Sequence, residues 1–313
     1  MRDALLPGNR GHNDFAVRMG HDAVLVDPAF GKTSLPGGRY LSEWGYVGQK
    51  THEEHGIEVE SPIKTMADFE RYTPPDPDAP GRYTAIEEAL QTYGDQFAVI
   101  VHLNDVFSLP RYLMGMESLL MAIVAEPELV TALVDMSVDI NLKLAKEVRA
   151  RGVEIVYTGD DYASNSGPLM SPRHFRKLFY PGLVRLMHGI KELDLYVIKH
   201  TDGNLWPIID LLVDSGIDCL DPIDPQAGMD IADVRAKYPM LTLKGNVDCA
   251  QLMTFGTPAD IVAATRETLA KGMAGVSSGG GGFICSSSNS IHSGVTPENY
   301  LALLDTVRRY GCY

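Results

Sequence analysis

Cysteine, positive charge and long apolar runs are all scarce in this chain. Its four cysteines, Cys219, Cys249, Cys285 and Cys312, form no CxxC pair. The opening residues also lack the pattern of a signal peptide, so the expected setting is a reduced, cytoplasmic one. No apolar run approaches the roughly 18 residues that a membrane span requires. The formal net charge of −14 argues against a nucleic-acid binder, which needs a basic stripe, although a positive pocket for an anionic substrate stays compatible with it. No internal repeat is visible. What is present is ordinary: 45% apolar and 22% charged residues over 313 positions. That suffices for a sizeable core in one large α/β domain or two ordinary ones.

The most informative stretch runs from Leu195 to Asp248. It holds three apolar, strand-like runs, Leu195–Lys199, Asp218–Asp221 and Leu241–Gly245, each ending in polar residues. An amphipathic helix pattern through Trp206, Ile208, Ile209, Leu211, Leu212 and Val213 separates the first two. Further strands are expected at Phe97–His102, Glu154–Thr158 and Phe283–Cys285. Helices are expected at Thr84–Tyr93, from Pro110 to Arg151, from Ser171 to Leu193, at Pro258–Lys271 and at Pro297–Tyr310. Strands alternating with long helices mean a parallel sheet. The expected fold is therefore a (β/α)8, TIM-barrel-like α/β domain with functional groups past the strand C-termini. Six barrel strands are countable from residue 97, and Asp22–Val26 makes a seventh, so the barrel is expected to be short of its first strand.

Before the barrel, residues 1–81 read as an N-terminal β and loop element, within one domain spanning 1–313. Arg39–Val47 (RYLSEWGYV) alternates like a half-exposed strand, with Gly56–Glu60 as its hairpin partner. Ser61–Tyr72 is expected to be helical. TPPDPDAPG at 73–81, with four prolines in nine residues, reads as a rigid connector to the core at 82–313. The run SSGGGGF at 277–283 suggests backbone passing close to another group.

Chemistry-bearing residues cluster at the expected strand ends. Asp160 and Asp161 can hold a metal, share a proton or orient a cation; a turn cap is the plainer alternative. His200 and Asp202, separated by one residue across a turn, can act as metal ligands or as an acid–base pair. Lys199, on the opposite side of the strand by alternation, reads as structural. Asn246 can bind substrate, and Asp248 can bind substrate or cap the helix that follows. Asp221 and Asp224 read as structural, in a loop shaped by Pro222 and Pro225. Cys285 can ligate zinc near His200 or simply be buried, and Asn289 and His292 lie in the loop after it. Asn104, and Arg39 with Trp44, complete the polar set; a guanidinium beside an aromatic ring can bind a carboxylate, or be a surface ion pair.

At these residues the sequence resembles the uroporphyrinogen decarboxylase superfamily. The matching phrases are GDDYASNSGPLMSPRHFRKLFYPGL (159–183), KHTDGNLWPIIDLLVDSGIDCLDPIDPQAGMD (199–230), LKGNVD (243–248) and VTPENYLALLDTVRRYG (295–311). They occur in order and cover most of the chain from 159 onward. GGRYLSEWG supplies a looser match in the N-terminal half, while the family's opening helix and first strand are not evident before residue 20.

The resemblance implies a barrel enzyme from one of two branches. The decarboxylases act without metal or cofactor on a tetrapyrrole carboxylate, through N-terminal arginines and an aspartate and a late histidine. Here GGRYLSE keeps Arg39, but the arginine-bearing MRQA and the FSDI aspartate motif are absent, and Asn289 stands at the histidine. The other branch comprises methyltransferases that work with corrinoid proteins and use zinc bound by His-x-Cys-Gly and a late cysteine. His200 matches the histidine, whereas Asp202 and Asn289 stand at the two cysteines.

The expectation is thus a methyltransferase acting between a small substrate and a corrinoid or thiol acceptor. In it His200, Asp160, Asp161 and Asp202 form the catalytic set, and Arg39, Trp44, Asn104, Asn246, Asp248 and Asn289 bind substrate. His200, Asp202 and Cys285 are the candidate zinc ligands. A corrinoid protein and a second copy of the chain are the expected partners. The rival readings are a cofactor-free porphyrinogen decarboxylase with a basic cleft around Arg39, Arg10 and Arg111, and a non-catalytic ligand-binding barrel.

Overall fold

The structure, a computed structural model, describes residues 2–8, 11–51, 56–159 and 161–312. Its strands are β1 Ala23–Val26, β2 Lys32–Ser34, β3 Arg39–Ser42, β4 Val47–Gln49, β5 Ile57–Glu60, β6 Ala98–Leu103 and β7 Ile155–Gly159. They continue with β8 Ala163–Ser164, β9 Gly167–Pro168, β10 Tyr196–His200, β11 Cys219–Ile223, β12 Thr242–Val247 and β13 Phe283–Ser287. Seven of them form one sheet in the order β1-β6-β7-β10-β11-β12-β13. The pairs β6–β7, β10–β11, β11–β12 and β12–β13 run parallel, with helices between successive strands. This is the α/β architecture the alternation predicts, with the seven strands countable in the sequence.

The chain divides into two compact units. The C-terminal unit comprises residues 1–24, 161–168 and 198–313; the N-terminal unit comprises 25–160 and 169–197. The connector at 73–81 lies inside the N-terminal unit.

In the N-terminal unit β6 and β7 align Ile100 with Ile155 and His102 with Tyr157. The 24-residue helix Pro127–Ala150 starts on a proline, whose missing N–H costs nothing at a first helical turn. It buries Leu129, Leu133, Val134, Ile140 and Leu144, a stripe at helical spacing. Phe107, Phe175 and Phe179 are fully buried in the same unit, and Phe107 meets Phe179 edge to face at 5.6 Å between centroids.

A four-stranded antiparallel sheet, β2-β3-β4-β5, corrects two expectations. RYLSEWGYV is not one strand but a hairpin, because the chain turns back at Gly45, whose φ of 84° favours glycine. The Ser42 N–H donates to the Tyr46 carbonyl at 2.9 Å across that turn. Ile57–Glu60 therefore pairs with β4, not with β3. The helix expected from Ser61 begins only at Met66, where Thr65 and Asp68 form a reciprocal capping box.

In the C-terminal unit a helix at His12–Arg18 stands where the sequence shows only a polar, Gly-rich opening. Phe15 from that helix and Met19 join Val247, Cys249, Met253, Ile261, Val295, Tyr300 and Leu303 in one apolar cluster. Helix Pro258–Gly272 opens with a Thr257–Asp260 capping box, and Pro297–Tyr310 with a Thr296 cap. The glycine run behaves as its composition suggests. A Cβ on Gly281 would stand 2.4 Å from the carbonyl oxygens of Met240 and Leu241, a contact no other residue tolerates. No described helix is long and apolar enough to cross a membrane.

Candidate active site

Strands β10, β11 and β12 and the segment after β7 bring four ionisable side chains into one chain of contacts within the C-terminal unit. His200 closes β10 and lies opposite Asp221 of β11 in the parallel register. Its Nδ1 is 3.1 Å from Asp221 Oδ2, and its Nε2 is 3.3 Å from Asp161 Oδ1. On the other side of Asp221, Lys244 of β12 places its Nζ 2.5 Å from Oδ1. Asp221 is almost wholly buried, with 3% of its side chain exposed. An ionised carboxylate there is tolerable only because it has two cationic partners.

Asp161 is held at His200 by stitches between its own loop and the turn after β10. The Tyr162 N–H donates to Thr201 Oγ at 2.9 Å, the Asp202 N–H to Asp161 Oδ1 at 3.2 Å, and the Asn204 N–H to the Ser164 carbonyl at 2.8 Å. Gly203 makes this approach possible. Its φ is +88°, and a Cβ would stand 2.7 Å from the Ala163 carbonyl carbon. Under the turn, Lys199 is fully buried. Its Nζ donates to the His200 carbonyl at 2.5 Å and lies 4.2 Å over the Tyr162 ring, a cation–π placement. Asn289, in the loop after β13, donates its amide to Asp202 Oδ2.

These contacts set the protonation states. Burial alone would lower His200, but hydrogen bonds and charge from Asp161 and Asp221 raise it to about 9, so it is an imidazolium at neutral pH. Burial would raise Asp221, yet Lys244 and His200 hold it well below the ordinary carboxylate range. Asp161 is likewise lowered, its burial outweighed by the hydrogen bond and charge of His200. Asp202 goes the other way: burial, then the Asp161 charge, push it up to about 7. Two neighbouring carboxylates thus differ in role, one fixed as an anion and one poised to gain or lose a proton near neutrality.

Of the expected site residues, the structure joins His200, Asp161, Asp202 and Asn289. Asp160 and Arg10 lie outside the described residues. Two of the expected substrate ligands are engaged internally. Asn246, at φ 76°, donates to the carbonyls of Ile223 at 3.1 Å and Met229 at 3.2 Å. Asp248 caps a helix, accepting from the backbone of Ala250, Gln251 and Leu252, and receives Gln226 Nε2 at 2.7 Å. Both also line a cavity of about 320 Å³ with Pro225, Gly228 and Lys271.

The remaining candidates lie in the N-terminal unit. Arg39 pairs with Glu60 at 3.2 Å, the ion-pair alternative. Trp44 is 5% exposed and packs on Phe30 at 4.9 Å. The same Phe30 ring carries Arg82, 4.1 Å over it, with a two-armed contact to Glu43. Asn104 is half-buried just after β6. Arg111 pairs with Glu58 at 2.8 Å, so the described arginines of the expected basic cleft are neutralised by glutamates.

Lys244 is not among the residues the sequence singles out, and Asp221 reads there as structural. A signal for Lys244 exists: it is a lone charge in the strand Thr242–Val247, on the half-buried side that alternates with Leu243, Gly245 and Val247. A charge at such a position needs a partner, and the partner is Asp221 on the neighbouring strand.

The resemblance implies zinc, and the donor set has been compared with that demand. Both ring nitrogens of His200 face carboxylates. Cys285 packs against the apolar cluster of the C-terminal unit. Among the described residues no group of three His, Cys, Asp or Glu side chains is arranged to hold a metal ion. As arranged, these residues do not fit zinc.

Comparison with known proteins adds the context. The family model for uroporphyrinogen decarboxylase (URO-D) matches residues 47–310. A methylcobamide:CoM methyltransferase, MtbA, of Methanosarcina mazei is 24% identical over 189 residues, 60% of this chain and 54% of the relative. A methylated-thiol–coenzyme M methyltransferase of the same organism is 27% identical over 192 residues, 60% of this chain and 49% of the relative. These matches span about half the length of the curated relatives. Among solved structures, a methyltransferase from Methanosarcina mazei superposes with a TM-score of 0.71 over 95% of this chain and 83% of its own, at 17% identity. That likeness is one of fold.

Proposed function

Because the chain belongs to the uroporphyrinogen decarboxylase family, and its curated relatives are methyltransferases, we propose that it transfers a methyl group between a small substrate and a thiol or corrinoid acceptor. The observation that carries this reading is the convergence of His200, Asp161, Asp202 and Asn289 at the strand ends. Transfer to a thiol must remove the S–H proton, because the thiolate is the nucleophile. Asp202 is placed to accept that proton. The His200 imidazolium, fixed between Asp161 and Asp221, supplies positive charge to the developing thiolate. Sulfur then forms the bond to methyl, while the electron pair of the bond that breaks stays with the methyl carrier. Asp221 and Lys244 act through His200, as positioning residues. A corrinoid protein would be the carrier's source, as the relatives' names suggest.

The test supplies a ¹³C-methyl corrinoid and a series of small thiols to the purified protein and follows the methyl resonance. Methylated thiol is expected from the wild type, with the rate about 100-fold lower in Asp202→Asn and also reduced in His200→Ala. Unchanged rates in both variants would remove the cluster from the chemistry. If no thiol is methylated but a porphyrinogen loses carboxylate, the decarboxylase reading replaces this one.

A further inference from the structure

The positions at which the methyltransferase branch carries its zinc ligands correspond here to His200, Asp202 and Asn289. The structure keeps these positions together. Asn289 donates to Asp202, and the Asp202 backbone donates to Asp161, which faces His200 Nε2 at 3.3 Å. What differs is where each donor atom points. The metal-capable atom of Asn289 is its amide oxygen, and that oxygen accepts from the Ser290 N–H at 2.6 Å, leaving the N–H₂ end toward Asp202. One oxygen of Asp202 is engaged by that amide. His200 offers a metal neither nitrogen, because Asp161 and Asp221 flank the ring. Positive charge is instead built into the protein, with Lys244 Nζ 2.5 Å from Asp221.

We infer that this cluster is a metal-independent rebuilding of the branch's zinc site, in which hydrogen bonds join the side chains where ligands would face an ion. Three positions account for the difference. Two carry no thiolate, Asp202 and Asn289, and the third position, His200, is retained but turned to carboxylates. The carboxylates stand within β11 and just after β7, and Lys244 on β12 completes the network. The inference concerns the site on which the methyl-transfer reading rests, and it is read out without turnover, so either can fail alone.

The experiment measures bound zinc by elemental analysis, after incubation with zinc chloride and desalting, for the full chain. Four proteins are compared: the wild type, His200→Ala, Asn289→Cys, and Asp202→Cys combined with Asn289→Cys. Replacement by cobalt(II) reports thiolate ligation through its absorption spectrum. The wild type is expected to keep far less than one zinc per chain. The double variant, with a histidine and two thiolates restored, is expected to keep about one and to show thiolate-bound cobalt. If the double variant does not fold, judged by circular dichroism, Asn289→Cys tests the same convergence with a His-Asp-Cys set. Stoichiometric zinc in the wild type that disappears in His200→Ala would overturn the inference. Absence of zinc from every folded cysteine variant would overturn it too, by showing that the three positions no longer converge on one ion.

Discussion

At the scale of single residues, the informative contrast is between Asp161 and Asp202. One carboxylate is paired with an imidazolium and stays ionised; its neighbour is buried beside that anion and resists ionisation. Folding therefore favours the protonated form of Asp202. With a folded value near 7 against an ordinary 3.8, its contribution to stability is fully present below the ordinary value and is lost as pH rises through 7. Asp202→Asn removes that loss, since a neutral amide has nothing to ionise. The variant should melt at or above the wild-type temperature, and the difference should grow between about pH 5 and pH 8. Thermal melts across that range check it, and a variant less stable at high pH than at low would refute the assignment. A substitution that stabilises the fold while slowing transfer is the pattern of a residue kept for function.

At the scale of elements, the glycine run and the end of helix Pro258–Gly272 are secured by one side chain. Arg235, 6% exposed, donates to the carbonyls of Leu241 at 2.7 Å, Gly282 at 2.7 Å, Gly272 at 3.0 Å and Pro239 at 3.4 Å. Helix ends and irregular loops leave carbonyls without backbone partners, and a buried guanidinium serves several at once. Arg235→Met keeps much of the apolar stem and removes every donor. It should cost about 3 kcal/mol or more in urea unfolding, since the Leu241 and Gly272 carbonyls each lose a charged donor in a buried setting, while those of Gly282 and Pro239 keep a backbone N–H. A loss below about 0.5 kcal/mol, the scale of an ordinary surface change, would mean that water replaces the guanidinium. The hairpin at Gly45 teaches the complementary lesson. Alternation extends across RYLSEWGYV as if one strand ran through it, yet a single glycine at positive φ folds it in two.

At the scale of the whole molecule, ionisation limits stability from both sides. Asp221, Asp161 and Glu43 are held below their ordinary values, Glu43 chiefly by its hydrogen bond to Arg82. Their contribution is present above the unfolded carboxylate range, about pH 4, and is lost as pH falls below it. His200 is raised from 6.5 to about 9; its contribution is complete below 6.5 and disappears as pH rises through 9. Asp202 acts in the same direction. Stability should therefore be greatest near about pH 5 to 6, falling steeply toward acid and gradually toward about pH 9. A maximum above pH 8 in denaturant melts would contradict the His200 network. The net charge of −14 makes the alkaline side more salt-sensitive, because self-repulsion is screened by added salt.

The order of strands and helices, the parallel class and the polar strand ends were all determined by sequence, because periodicity and chain order are local properties. His200 and Asp202 could be singled out for the same reason: they follow an apolar run in a β/α alternation. Which groups meet across strands was decided by register, which only the folded sheet sets. Asp221 lies 21 positions from His200 and Lys244 a further 23, and nothing along the chain couples them. Parallel pairing places the first two opposite each other, and the adjacent strand brings the lysine. Direction, too, belongs to tertiary structure. The sequence names an asparagine and an aspartate at two positions where the resemblance leads one to expect cysteines, but only the folded loops turn the amide toward the carboxylate and the amide oxygen away.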